Sequence, residues 1–265
     1  IPFSFRMQSD SFVLELFDIN HYYAEILDSI QIMAQNQPKQ QLMVCLDNFE
    51  NVDNFNDPKV LSQRIRSVWQ HHQNATYCFI ARPRDFLASL FESNPASFHS
   101  FGEIIQLTKP KPSVFADFLQ RKFDESGKNF ESKQATAIVS HMESHPYYTQ
   151  QLAYTIWELS ESKVLGSTII HGLETMLAQN AILFERIMAE LSNSQFNFLK
   201  ALASGIQLGF SKQKVISKFE LGSSANIVKV QKALFKKEVI QMTESGYQFL
   251  DPAFALWFKW NILKS

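Results

Sequence analysis

The sequence predicts an α/β layer built on parallel strands, then an all-helical segment, then a compact module of three helices and a β-hairpin. Three observations carry this. Two continuous apolar runs, Leu42-Met43-Val44-Cys45-Leu46 and Thr76-Tyr77-Cys78-Phe79-Ile80, each end at polar residues, as strands in the middle of a parallel sheet do. From Ser113 onward the apolar spacing becomes helical throughout. From Ser192 it changes again, to three short helical periods and two short strands around Glu244-Ser245-Gly246.

Taken in order, residues 12–17 read as a strand and 22–33 as a helix. The strand at 42–46 runs into Asp47, a helix fits 60–71, and the strand at 76–80 comes next. Alternation of strands with helices argues for parallel order. Ser113 is placed to cap a helix that carries Phe115, Phe118, Leu119 and Phe123 on one face. Further helices fit 132–142, 147–159 and 168–191. In the last segment helices fit 192–203, 211–219 and 224–237, and strands fit 239–242 and 247–250. Helix, helix, helix, hairpin is the order of a winged helix-turn-helix. The apolar stretch 254–260 reads as a terminal helix packed back on that module. The expected domains are an α/β core over 1–110, a helical lid over 111–191 and the winged helix over 192–265.

The chain has 265 residues, 45% of them hydrophobic and 24 of them Phe, enough for two domains with real cores. It holds no run of 18 apolar residues, so no membrane partner is expected. It opens on Ile1 without a charged-then-apolar leader, which reads as a processed start or a start inside a longer polypeptide. Cys45 and Cys78 each sit inside an apolar run, so both are expected to be buried thiols of a reducing compartment, with the cytoplasm as location. The net charge of −1 hides an asymmetry. From Ser192 on there are ten lysines, no arginine and four acidic residues, +6, which leaves −7 to the rest. Only the basic end suits a polyanion.

The most informative run is Leu42-Met43-Val44-Cys45-Leu46-Asp47-Asn48-Phe49-Glu50. A buried strand ending in Asp fixes a carboxylate at the carboxyl edge of the sheet, where ligands bind in open α/β folds. A Walker B site uses such a carboxylate to orient Mg²⁺. Many parallel strands also end in Asp merely to cap the next element.

Several segments together resemble the archaeal-type ATPase family, within the STAND division of AAA+-like P-loop ATPases. Asp47-Asn48-Phe49-Glu50 is similar to the family's Asp-Glu-Phe-Gln. Tyr77-Cys78-Phe79-Ile80 resembles its sensor strand, and Arg82-Pro83-Arg84-Asp85-Phe86-Leu87 the short helix after it. Ile104-Ile105-Gln106-Leu107-Thr108-Lys109-Pro110 resembles the strand and turn before the lid. His145-Pro146-Tyr147-Tyr148 is similar to the family's Gly-Asn-Pro-Tyr-Tyr segment, and Tyr247-Gln248-Phe249-Leu250-Asp251-Pro252 with Trp257 to the end of its winged helix. The resemblance runs in register over nearly the whole chain. It implies a parallel-sheet P-loop NTPase-like core, a helical lid and a C-terminal winged helix-turn-helix.

The departures are equally specific. A phosphate loop needs glycines so that backbone N–H groups curl around phosphate oxygens, and a Lys to reach them. The first glycine here is Gly102, and Gly127-Lys128 lies beyond the sheet, so the sequence holds no Walker A loop. The family places roughly 40 residues, a βαβ-sized segment, where residues 1–6 run almost directly into the strand at Phe12. Either that segment lies outside this sequence or it has been lost; an unfilled sheet core favours the first. The position of the water-polarising carboxylate holds Asn48, which takes up no proton, so hydrolysis is expected to be weak or absent. Glu50 substitutes for it only if the backbone bends.

The resemblance therefore implies an ATP/ADP-binding switch. Asp47 would orient Mg²⁺, Asn48 and Glu50 would stand at the catalytic position, and Arg82 or Arg84 would touch phosphate, with a surface ion pair as the plainer role. His145, Pro146 and Tyr147 would approach the base, a turn or cap being the plainer role for His145. In the winged helix, Ile227, Val230 and Leu234 form the packing face, and Lys229, Lys232 and Lys236 an outer face. With Lys212, Lys214 and Asn226, that outer face is the candidate nucleic-acid surface. Without arginine, bidentate guanine readout is disfavoured. The alternative expectation is a nucleotide-free adaptor that keeps the fold and binds duplex DNA or a protein through the winged helix.

Overall fold

A computed structural model describes residues 3–8, 11–16, 19–36, 41–82, 84–91, 98–99 and 101–263, with side chains from residue 24 onward except 84 and 85. The chain forms two compact units, residues 1–107 and 108–265.

In the first unit, β3 (Leu42–Leu46) pairs in parallel with β4 (Ala75–Phe79), Leu42 opposite Ala75 and Leu46 opposite Phe79. The crossover between them is α2 (Pro58–Trp69), started by Pro58 in the first turn and by the Asp57 carboxylate, which accepts the Val60 N–H at 3.1 Å. Ile65 and Trp69, four apart on α2, turn inward together. Trp69 stacks on Tyr77 with ring centroids 4.1 Å apart, and Phe49, Phe79, Phe91 and Phe98 complete an aromatic core. A polar chain closes its rim. The Tyr77 hydroxyl meets His72 Nδ1 at 2.5 Å, and His72 Nε2 meets Asp28 of α1 (Ile19–Gln35) at 3.1 Å. Burial, with Asp28 nearby, holds the Tyr77 phenol well above its ordinary range.

Two expectations are corrected in this unit. The strand near Phe12 does not join the parallel pair among the described residues. It is β2 (Ser11–Leu16), the second arm of an antiparallel hairpin with β1 (Phe3–Gln8), Phe3 opposite Leu16. The cysteines are not both buried. They lie directly opposite each other in the ladder, Cys45 exposed and Cys78 half-buried, on a face that also shows Met43 at 62% and Ile80 at 44% exposure. Only the other face of the pair packs on the aromatic core. Residues 104–107 form neither strand nor helix and take no ladder partner among the described residues, and Ile105 and Leu107 are 78% and 91% exposed. Between them, α3 (Arg84–Phe91) comes after β4.

The second unit is helical: α4 (Pro112–Glu125), α5 (Ser132–His141), α6 (Pro146–Leu159), α7 (Gly166–Gln179) and α8 (Ala181–Ala189). They lead into α9 (Asn193–Ala203), α10 (Gln213–Phe219), α11 (Ser224–Lys236), the hairpin β5 (Ile240–Thr243) and β6 (Gly246–Phe249), and α12 (Pro252–Phe258). A π-helical turn, Lys259–Leu263, ends it. α4 begins at Pro112, with Lys111 at the cap, so Ser113 lies inside the helix. The single helix expected over 168–191 is two, separated by Asn180, whose amide donates to the Met176 carbonyl at 2.8 Å and to Gln151 at 3.1 Å. α7 lies tight on α6 because Gly172 faces Ile156. A Cβ there would stand 2.5 Å from Ile156 Cγ1.

One continuous core runs through this unit, from Phe115 and Leu152 to Phe198, Leu234 and Phe258. Helices on both sides of residue 191 share it. Among the described residues no helix is long and apolar enough to cross a membrane.

Candidate functional site

Asp47 directly follows β3 with its side chain exposed, and its Oδ1 accepts the Asn48 N–H at 2.8 Å. Asn48 itself is left-handed, φ 53° and ψ 44°. Asn enters that region more readily than most L residues, so Asn48 supplies a sharp bend. Bonds from Ile80 N–H to the Leu46 carbonyl (2.8 Å) and from Phe49 N–H to the Ile80 carbonyl (2.9 Å) pin the bend to β4. A 3-10 turn, Phe49–Asn54, comes next, with Phe49 and Val52 buried. The bend carries Glu50 into a site where its Oε2 is buried without a hydrogen-bond partner among the described residues. An unsatisfied buried carboxylate oxygen is costly and suits a bound ligand or water.

A Mg²⁺ bound with nucleotide needs only one or two carboxylates beside phosphate oxygens. Asp47, exposed after β3, meets the lower end of that demand, while no group of three His, Cys, Asp or Glu side chains converges among the described residues. The glycine cradle for phosphates is not in this sequence. Arg82 is exposed just beyond β4, and the Arg84 side chain lies outside the described residues.

In the second unit, the first turn of α6 holds the other predicted residues. His145 is its cap residue, with no side-chain capping bond, and Pro146 its first helical residue. The approach is strained: Glu143 and Ser144 both have positive φ, 48° and 55°. His145 Nδ1 is buried without a hydrogen-bond partner among the described residues, and burial lowers the imidazole pKa, opposed by nearby Asp251. Pro146 and Gln150 form one wall of an open groove of about 460 Å³. Val114, Phe115 and Phe118 of α4, with Pro110, supply its apolar lining, and Asp117 and Arg121 its charged groups. Its size is that of a small-ligand pocket. Tyr147 is 62% exposed and lies edge-on to Tyr148, centroids 5.0 Å apart.

Tyr148 does what sequence reasoning did not assign. Its hydroxyl donates to Asp251 Oδ2 at 2.5 Å across 103 residues, while Asp251 Oδ1 accepts the Phe254 N–H at 2.9 Å and caps α12. Burial and that bond raise the Tyr148 pKa far above its usual range, so the phenol keeps its proton and donates. Both residues stood in segments singled out from the sequence, but nothing local signals a pairing over such a separation.

On the winged helix, Lys212, Lys214, Lys229, Lys232 and Lys236 are all exposed, and α11 carries no acidic residue. Asn226 is committed locally: its amide donates to the Leu221 carbonyl at 3.1 Å, and its backbone N–H takes the Ser223 cap. The same outer face holds two apolar residues, Val228 and Phe235, 48% and 57% exposed. Lys237 is turned away, donating to the Glu190 carbonyl at 2.5 Å.

Residues 182–260 match the family described as "probable winged helix domain". The Walker-type ATPase PABY2304 of Pyrococcus abyssi has a similar structure, with a TM-score of 0.63 at 14% identity over 89% of this chain and 67% of that one. A RuvB variant of Thermotoga maritima aligns at a TM-score of 0.44 and 13% identity, over 83% of this chain and 71% of that one. Comparison with curated protein sequences gives no match. The fold is therefore that of a P-loop, Walker-type ATPase with a winged helix at its C-terminal end.

Proposed function

We propose that this chain is the body of a nucleotide-dependent switch, binding ATP or ADP and hydrolysing ATP weakly or not at all. The observation that carries the reading is the end of β3, where Asp47 stands exposed and the Asn48 bend leaves a Glu50 oxygen buried and unpaired. Asp47 would hold Mg²⁺, whose charge offsets that of the phosphates. Asn48 cannot take the water proton. Glu50 is the next carboxylate along the chain, and its buried oxygen limits its reach.

Within the second unit, the groove beside Pro146 and Gln150 is lined by the apolar Val114 and Phe118 and the polar Arg121 and Gln150, a mix that suits a flat heteroaromatic ring such as a nucleobase. The reading requires that the full protein supply a phosphate cradle, since this sequence holds none.

The test is titration of the polypeptide, as the cell makes it, with a fluorescent ATP analogue, with and without Mg²⁺. Micromolar binding is expected, with Asp47→Asn removing the Mg²⁺-dependent gain, about tenfold, and leaving Mg²⁺-free binding unchanged. No binding at about 1 mM nucleotide would end the reading.

A second reading concerns the winged helix as a docking module for duplex DNA or a protein. The exposed Val228 and Phe235 among the lysines of α11 favour a protein partner with acidic and apolar side chains.

A further inference from the structure

The first turn of α6 faces two ways. At 100° per residue, Pro146 and Gln150 lie about 40° apart on one side of the helix, and Tyr148 lies about 200° from Pro146 on the other. The structure bears this out on both sides. Pro146 and Gln150 wall the groove, while Tyr148 is buried and bonded to Asp251. Whatever presses on the groove wall therefore presses on the turn that carries the Tyr148 hydroxyl.

The far end of that bond is equally committed. Asp251 uses one oxygen for Tyr148 and the other to cap α12. α12 in turn anchors the winged-helix core: Phe254 and Phe258 are almost wholly buried, ringed by Phe184, Phe196 and Phe249. A single carboxylate thus joins the lid helix to the start of the last helix of the winged module.

The turn is also poised to move. Two consecutive left-handed residues, Glu143 and Ser144, lead into it, and each costs free energy that a shifted turn can release. Two polar atoms beside it, His145 Nδ1 and Thr149 Oγ1, are buried with no partner among the described residues. A stretch with strained backbone and unmet polar groups is where a small ligand shifts a conformational balance most readily.

We propose that the Tyr148–Asp251 hydrogen bond is a latch that holds α12 to α6, and that an occupant of the groove beside Pro146 and Gln150 tightens it. Tyr148 and Asp251 are positioning residues in this scheme and touch no ligand. The occupant is a purine base, with ADP as its probe, so this second clause rests on the nucleotide binding proposed above; the latch itself does not.

Hydrogen exchange on the full polypeptide separates the two. Without nucleotide, Tyr148→Phe keeps the ring and loses the hydroxyl. It should speed exchange of the 254–258 amides about tenfold relative to amides of α9 and α11. Asp251→Asn, which keeps a capping oxygen for Phe254, should do the same to a smaller degree. Unchanged or uniformly faster exchange across the unit in Tyr148→Phe would overturn the latch. With ADP added, the wild-type 254–258 amides should slow severalfold, and Tyr148→Phe should bind ADP within about twofold of wild type while losing that slowing. Slowing that persists in Tyr148→Phe, or wild-type binding without slowing, would overturn the coupling. Failure of the wild type to bind ADP would remove the nucleotide reading and the coupling with it, while the unliganded comparison would still decide the latch.

Discussion

Single residues in this chain are chosen for backbone shape as much as for chemistry. Asn48 shows it at the end of β3, where the residue that removes a proton acceptor also makes the left-handed turn that swings Glu50 inward. The sequence displayed the lost carboxylate plainly, but the bend stayed conditional, because φ is not written in a side chain that tolerates several regions. Ser144 is the converse case. It is buried and left-handed, and its side chain makes no hydrogen bond among the described residues that would offset its strain. A left-handed L residue costs roughly 1–2 kcal/mol, and glycine removes that at some entropic cost of its own. Ser144→Gly should therefore stabilise the protein by about 0.5–1 kcal/mol, raising the denaturant midpoint at constant m-value. A fall in the midpoint would mean that the Ser144 hydroxyl has a use the geometry does not reveal.

Elements were legible wherever apolar spacing alone decides them. Ile227, Val230 and Leu234 fall on one stripe and are buried in α11 as that stripe requires. Spacing failed where burial depends on a second layer. The runs around Cys45 and Cys78 read as covered on both faces, and a continuous apolar run carries no mark of which neighbour is present. It failed again at Asn180, because helical period continues straight through the break between α7 and α8. The wing shows an element fixed by one residue. Gly246 opens β6 at φ 117°, and a Cβ there would stand 2.5 Å from the Gln207 carbonyl oxygen and 2.8 Å from Leu208 Cγ. Tyr247, next along, donates to the same carbonyl at 3.0 Å and sets its ring edge-on to Phe198 and Phe210. The hairpin is thus clamped onto the loop after α9 through backbone that cannot retreat. Gly246→Ala should cost about 2–3 kcal/mol and lower the melting temperature, with the exchange of β5 and β6 amides rising most. A neutral substitution would show that the wing is not held by that contact.

At the scale of the whole second unit, helices α4 to α8 and the winged-helix segment have different sequence characters but one interior. The sequence marks the change at Ser192 by charge and by element length, and both are surface or local properties. The shared core is neither, since it is made by pairs such as Phe184 with Phe254 and Trp257, about seventy residues apart. Leu152 of α6 and Phe258 of α12 are both fully buried in it. Truncating either to Ala leaves a cavity that costs about 2–5 kcal/mol. If the interior is one cooperative body, Leu152→Ala must weaken the winged helix as much as the lid. Amides of α6 and α11 should then lose protection by the same factor, and Phe258→Ala should reproduce the pattern from the other end. Loss confined to the lid in Leu152→Ala would mean that the two parts unfold separately. A switch would then need an added element to carry motion past residue 191, whereas one cooperative interior, latched at Tyr148 and Asp251, moves the winged helix with the lid.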